Sequence, residues 1–111
     1  MLFDELISKK KDDLMALLYK HHVDSMYAFG SVVTEKFDPE RSDIDLIVEI
    51  EEDDPVEKGE HLLSLWDELE KFFNRKVDLL TQSSIKNPYL RKSIEATKIK
   101  IYDRRKKKIL V

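Results

Sequence analysis

The sequence contains no cysteine, which excludes disulfides and thiolate metal sites. It also lacks any apolar run approaching the length of a membrane span. Its first residues, MLFDELISKKKDD, carry acids and lysines where a secretory signal needs an apolar stretch. The expectation is therefore a soluble cytoplasmic protein with no membrane association. An excess of one charge is missing too: 20 Lys and Arg against 23 Asp and Glu leave a net charge of −3. That balance argues against a domain that coats nucleic acid by neutralising phosphates, and no stable nucleic-acid binding is expected. Glycine occurs only twice, so the place of each is informative.

What is present describes a folded domain. Hydrophobic residues make up 41% of the chain and recur with clear periodicity, which excludes disorder. A chain of 111 residues reads as a single domain spanning residues 1–111, with a basic tail over 104–111. Such a domain buries roughly two-thirds of the surface its unfolded chain exposes. That is enough for one core, with little room for a separate substrate domain.

The pattern along the chain alternates helices and strands. Leu2, Phe3, Leu6, Ile7, Leu14, Leu17 and Leu18 recur at helical spacing, with Lys10 interrupting the stripe. Residues 25–29 read as a short aromatic-rich strand stopped by Gly30, and residues 32–41 as a short helix or turn and a loop broken by Pro39. The cleanest strand covers 43–50, with Ile44, Leu46, Val48 and Ile50 on one face and Asp43, Asp45 and Glu49 on the other. A helix over 56–74 presents Leu62, Leu65, Trp66, Leu69, Phe72 and Phe73. A short strand follows at 77–81, then a helix capped by Asn87 with Pro88 in its first turn, and a last strand around Ile99 and Ile101. No repeat or long linker is visible. The reading is an α+β layered domain, a small mixed sheet of three to four strands packed by helices.

The chemistry gathers on the strand over 43–50. Asp43 and Asp45 lie two apart and share the face opposite the apolar residues. Two anions held side by side repel, and a divalent cation removes that cost. Magnesium suits such a site, since it takes one or two protein carboxylates and completes its shell with water and phosphate oxygens. Asp78, alternating with Val77 and Leu79, adds a third acid if its strand lies beside the first. Three such carboxylates can hold two metals roughly 3.5–4 Å apart, the arrangement for in-line nucleotidyl transfer. Gly30 and Ser31 follow a strand, where backbone N–H groups and a hydroxyl form a phosphate cradle that glycine lets a phosphate approach closely. Ser42 positions the loop before the acidic strand and is a further nucleotide-binding candidate.

Together these residues resemble a known family. Tyr27-Ala-Phe-Gly-Ser31 followed by Ser42-Asp-Ile-Asp-Leu46 is similar to the signature of the DNA polymerase β-like nucleotidyltransferases, and Val77-Asp-Leu-Leu80 matches its third acidic position. The size, the first helix and the closing Asn87-Pro88-Tyr89-Leu90 and Ile101-Tyr102 segments resemble the minimal nucleotidyltransferases of prokaryotes. The resemblance implies a polymerase β palm-like fold and transfer of a nucleotide, AMP from ATP, to a hydroxyl. It also implies that Asp43 and Asp45 bind both magnesium ions, that Asp78 completes the metal site and helps activate the acceptor, and that Gly30 and Ser31 hold the triphosphate. Many such proteins are antitoxins paired with a helical HEPN toxin, so the resemblance implies a hetero-oligomer with a partner tyrosine as acceptor. The Arg-Gly pair that many members carry after Gly-Ser is replaced here by Thr34 and Glu35, with Lys36 and Arg41 as nearby cations. That departure keeps open a second reading, a weak or inactive member that neutralises its toxin by binding alone.

Other features read plainly. An EF-hand fails because Leu46 and Ile47 follow Asp45, with no glycine for the loop turn. His21, His22 and His61 show no metal-ligand spacing, lie on predicted helices, and are expected on the surface or in packing roles. Trp66, Phe72 and Phe73 are expected in the core. The run over 104–108 reads as a solvated tail, and Tyr27, Tyr89 and Tyr102 show no catalytic context.

Overall fold

The computed structural model describes residues 2–8, 10–33, 38 and 42–110. The first helical stripe divides into α1 (Leu2–Ser8) and α2 (Lys11–Lys20), separated where Lys10 interrupts the apolar periodicity. Strand β1 (Val23–Phe29) ends in a 3-10 turn, Gly30–Val33. Strand β2 (Ile44–Ile50) leads to α3 (Pro55–Phe73), and β3 (Val77–Leu80) to a 3-10 turn at Gln82–Ser84. Helix α4 (Pro88–Thr97) and strand β4 (Ile99–Asp103) follow. The chain then folds back through a 3-10 turn into the two-residue strand β5 (Lys108–Ile109).

Among the described residues the sheet has five strands in the order β3-β2-β1-β4-β5, antiparallel except for the β2–β3 pair. The expected three to four strands thus gain one. Its cause is Ile109, an apolar residue beyond the basic run that reaches the core by pairing with Tyr102. The basic side chains of Arg104–Lys108 themselves stay exposed.

Helix boundaries follow local chemistry. At the start of α3 the Val56 N–H donates to Asp54 Oδ1 at 2.9 Å, and Pro55, which has no N–H to satisfy, takes the first position. Asn74 ends the helix in the left-handed conformation (φ 53°), which asparagine tolerates. Asn87 caps α4 by accepting from the Tyr89 N–H at 2.9 Å, as its sequence predicts.

The sheet is covered on both faces. Helices α1, α2 and α3 bury Ile7, Leu14, Leu18, Leu65, Leu69 and Phe73 against Met26, Ala28, Leu46, Val48 and Val77. On the opposite face α4 packs Ile94 with Ile85 over Phe29, Ile47 and Leu80. Of the expected core aromatics Phe73 is buried, while Trp66 and Phe72 are partly buried at the core margin. The Trp66 indole N–H donates to the Val77 carbonyl at 2.6 Å and ties α3 to the edge strand β3. No helix among the described residues is long and apolar enough to cross a membrane.

Candidate active site

Parallel pairing of β2 with β3 sets the position of the acids. In that ladder Asp45 stands opposite Asp78, between Ile44–Val77 and Leu46–Leu79. Because the neighbours on both strands belong to the α1–α3 core, the pleat directs Asp45 and Asp78 to the other face. There the two carboxyls lie close enough to interact, and Asp45 responds. Burial first, then the Asp78 charge, the hydrogen bond to Asp78 and the Asp43 charge push its pKa up from 3.8 to about 6.

Gly30 closes over the same point. In the antiparallel β1–β2 pair Phe29 faces Asp45, so the next residue passes directly by the carboxylate. Gly30 adopts φ +73°, and a Cβ placed on it would lie 2.5 Å from Asp45 Oδ2. Both the left-handed backbone and the close approach require glycine here. Ser31 follows in the same 3-10 turn, half-buried.

Asp43 precedes the first strand residue, a slight correction to the strand expected over 43–50. Its Oδ2 lies 3.8 Å from Lys76 Nζ, at the mouth of the site. Ser42 positions the loop: its Oγ accepts from the Asp38 N–H at 2.9 Å, and its own N–H donates to the Asp38 carbonyl at 2.9 Å. Arg75 reinforces this closure by donating to the carbonyls of Asp38 and Ser42, each at 3.4 Å. Sequence reading missed Arg75 and Lys76. They immediately precede Val77-Asp78 but carry no spacing that distinguishes them from surface cations. Thr34, Glu35, Lys36 and Arg41 lie outside the described residues.

The donor set suits a hard divalent cation. It consists of carboxylate oxygens alone, one of them with its acidity suppressed by burial and then by the neighbouring Asp78 charge, and a cation between them relieves that repulsion. Asp45 and Asp78, with Asp43 one step outward, are the residues that would hold it. A cavity of about 720 Å³ elsewhere, lined by Met15, Tyr19, Tyr102 and Arg104 among others, includes none of these acids.

The histidines depart from expectation. His21 and His22 occupy the turn after α2, and only His61 is helical, on α3. His21 takes a packing role as expected. It is buried, its Nδ1 donating to the Leu17 carbonyl at 2.8 Å and its Nε2 3.0 Å from Ser64 Oγ.

Comparison with known proteins identifies the family. The family model described as "Nucleotidyltransferase domain" matches residues 7–101. MJ1379 of Methanocaldococcus jannaschii, a candidate protein adenylyltransferase, is 45% identical over 76 residues, covering 68% of this chain and 74% of its own. A solved structure of a candidate minimal nucleotidyltransferase superposes with a TM-score of 0.59 at 25% identity, over 86% of this chain and 92% of that one. The fold also matches, with a TM-score of 0.50 at 20% identity over 86% of this chain and 71% of that one, a structure of a tri-AMPylated Shewanella oneidensis HEPN toxin in complex with an MNT antitoxin. A fold that seats paired acids under a glycine turn, and a family match spanning most of the chain, lead to one assignment: this protein belongs to the nucleotidyltransferase domain family and is a nucleotidyltransferase.

Proposed function

We propose that this chain transfers AMP from magnesium-bound ATP to a tyrosine hydroxyl of a helical HEPN-type partner, and so acts as the antitoxin of a pair. The observation that carries the reading is the Asp45–Asp78 pair beneath Gly30. Similarity to a candidate protein adenylyltransferase supports a protein acceptor, and the fold shared with an MNT antitoxin bound to an AMPylated HEPN toxin supports the partner.

In this reading Asp43, Asp45 and Asp78 hold magnesium, which neutralises charge on the triphosphate and the leaving pyrophosphate. Gly30 and Ser31 bring backbone and hydroxyl to the phosphates, and Ser42 keeps the loop in place. The acceptor oxygen bonds to the α-phosphorus, the bond from that phosphorus to the bridging oxygen breaks, and pyrophosphate leaves. The hydroxyl proton passes to the Asp78 carboxylate.

The test is incubation with magnesium, ATP labelled at the α-phosphate, and the product of the adjacent reading frame. Label should appear on a partner tyrosine and be lost with Asp45→Asn. An unlabelled partner, neutralised equally well by the Asp43→Asn/Asp45→Asn double variant, would instead establish neutralisation by binding alone.

A further inference from the structure

The three histidines of the chain converge at one place, the end of the sheet remote from the acids. His22 leaves α2 just before β1, Glu52 follows β2, and His61 lies in the first half of α3. The Glu51 N–H donates to the His22 carbonyl at 2.8 Å, which fixes the two turns together. The rings of His22 and His61 stand 4.5 Å apart, and His22 Nδ1 lies 3.6 Å from Glu52 Oε2. One donor atom from each of His22, Glu52 and His61 falls within 4.8 Å of the others. Among the described residues no other group of three His, Asp or Glu side chains is gathered so closely.

We propose that His22, Glu52 and His61 form a second metal site, selective for a transition-metal dication of the zinc class. Two imidazole nitrogens and one carboxylate oxygen are the borderline donors such ions prefer, and magnesium disfavours imidazole. The supporting contacts are in place. Glu52 Oε1 accepts from the Asp54 N–H at 3.3 Å, which orients Oε2 toward His22. His21 packs edge-on against His61 at 6.0 Å, while its own nitrogens serve Leu17, Ser64 and Glu68. His22 itself adopts φ 57°, a conformation unfavourable for a residue with a side chain, and this places its ring over His61. Donors sharing one tetrahedral zinc stand roughly 3.3 Å apart, so the half-exposed His22 needs only a side-chain adjustment. Glu52 lies seven residues beyond Asp45 along and past β2, roughly 20 Å away at strand rise. The site is therefore separate from the nucleotide site and staples three elements, the α2–β1 turn, the end of β2 and α3.

Untagged protein stripped with EDTA and kept in millimolar magnesium is titrated with zinc, and with cobalt(II) as a spectroscopic probe. One zinc per chain, a tetrahedral cobalt absorption band, and an unfolding temperature raised by roughly 10 °C at hundredfold excess over Kd are expected. His61→Gln and Glu52→Gln should each weaken zinc at least about tenfold without changing the unfolding temperature in EDTA, and Asp43→Asn/Asp45→Asn should leave zinc binding intact. Absence of zinc binding, or binding that survives His22→Gln/His61→Gln but fails in the aspartate variant, overturns the assignment.

Discussion

Asp45 and Asp78 stand opposite each other across the parallel β2–β3 ladder, although all of α3 separates them in the chain. The fold holds two acids together that repel when both are ionised. Several measurable properties derive from that relationship and from the residues that enforce it.

Asp45 makes metal-free protein less stable at neutral pH. Its folded-state pKa of about 6 exceeds the reference 3.8, so between those values the folded state binds more protons than the unfolded chain. Stability therefore falls as pH rises through that window and stays lower above it. A shift of this size is ~3 kcal/mol unscreened, and on the order of 1 kcal/mol once discounted for a half-exposed carboxylate. Asp45→Asn should raise the unfolding temperature at pH 7.5 by about 4 °C while abolishing transfer, and the gain should vanish below pH 4. A variant less stable than the parent at pH 7.5 in EDTA contradicts this.

The two glycines should respond oppositely to alanine. At Gly30 the new Cβ meets Asp45 Oδ2 in a backbone at φ +73°, so Gly30→Ala should cost about 1–3 kcal/mol and most of the transfer activity. Gly59 lies within α3 with nothing within 4 Å of an added Cβ. Gly59→Ala should stabilise by roughly 0.5–1 kcal/mol with activity unchanged. Urea unfolding of both variants, with initial rates, separates the cases.

Trp66→Phe removes the indole donor from the Val77 carbonyl and leaves that oxygen without its partner. A loss of about 1–3 kcal/mol is expected. Because Val77 adjoins Asp78 on the edge strand, the initial transfer rate should fall further than the small loss of folded protein at 25 °C explains. Equal losses would show that the indole serves stability alone.

Asp103 should contribute to the acid limb of stability. Buried on β4, it accepts from Lys100 Nζ at 3.0 Å and from the Arg105 N–H at 2.9 Å, and these bonds hold its pKa down to about 2. A depressed carboxylate contributes stability above its unfolded pKa of 3.8 and loses it as pH falls toward 2. Asp103→Asn should therefore lower the unfolding temperature at pH 7, and the two curves should converge as pH approaches 2.

By itself the sequence determined the alternation of elements, the start of α4 with Asn87 as its cap and Pro88 in the first turn, and the face assignment of Asp45 and Asp78. All of these follow from periodicity and neighbouring residues, which are local properties. The pairing of the two acids was conditional on β3 lying beside β2, and only tertiary packing, with Trp66 anchoring Val77, decides that. Arg75, Lys76 and β5 were illegible because their roles depend on contacts distant in sequence, with no repeating pattern to announce them. The histidines make the same point most clearly. At positions 22 and 61, with a glutamate at 52, they follow no ligand spacing, and they meet only because the sheet brings two turns and a helix to one corner.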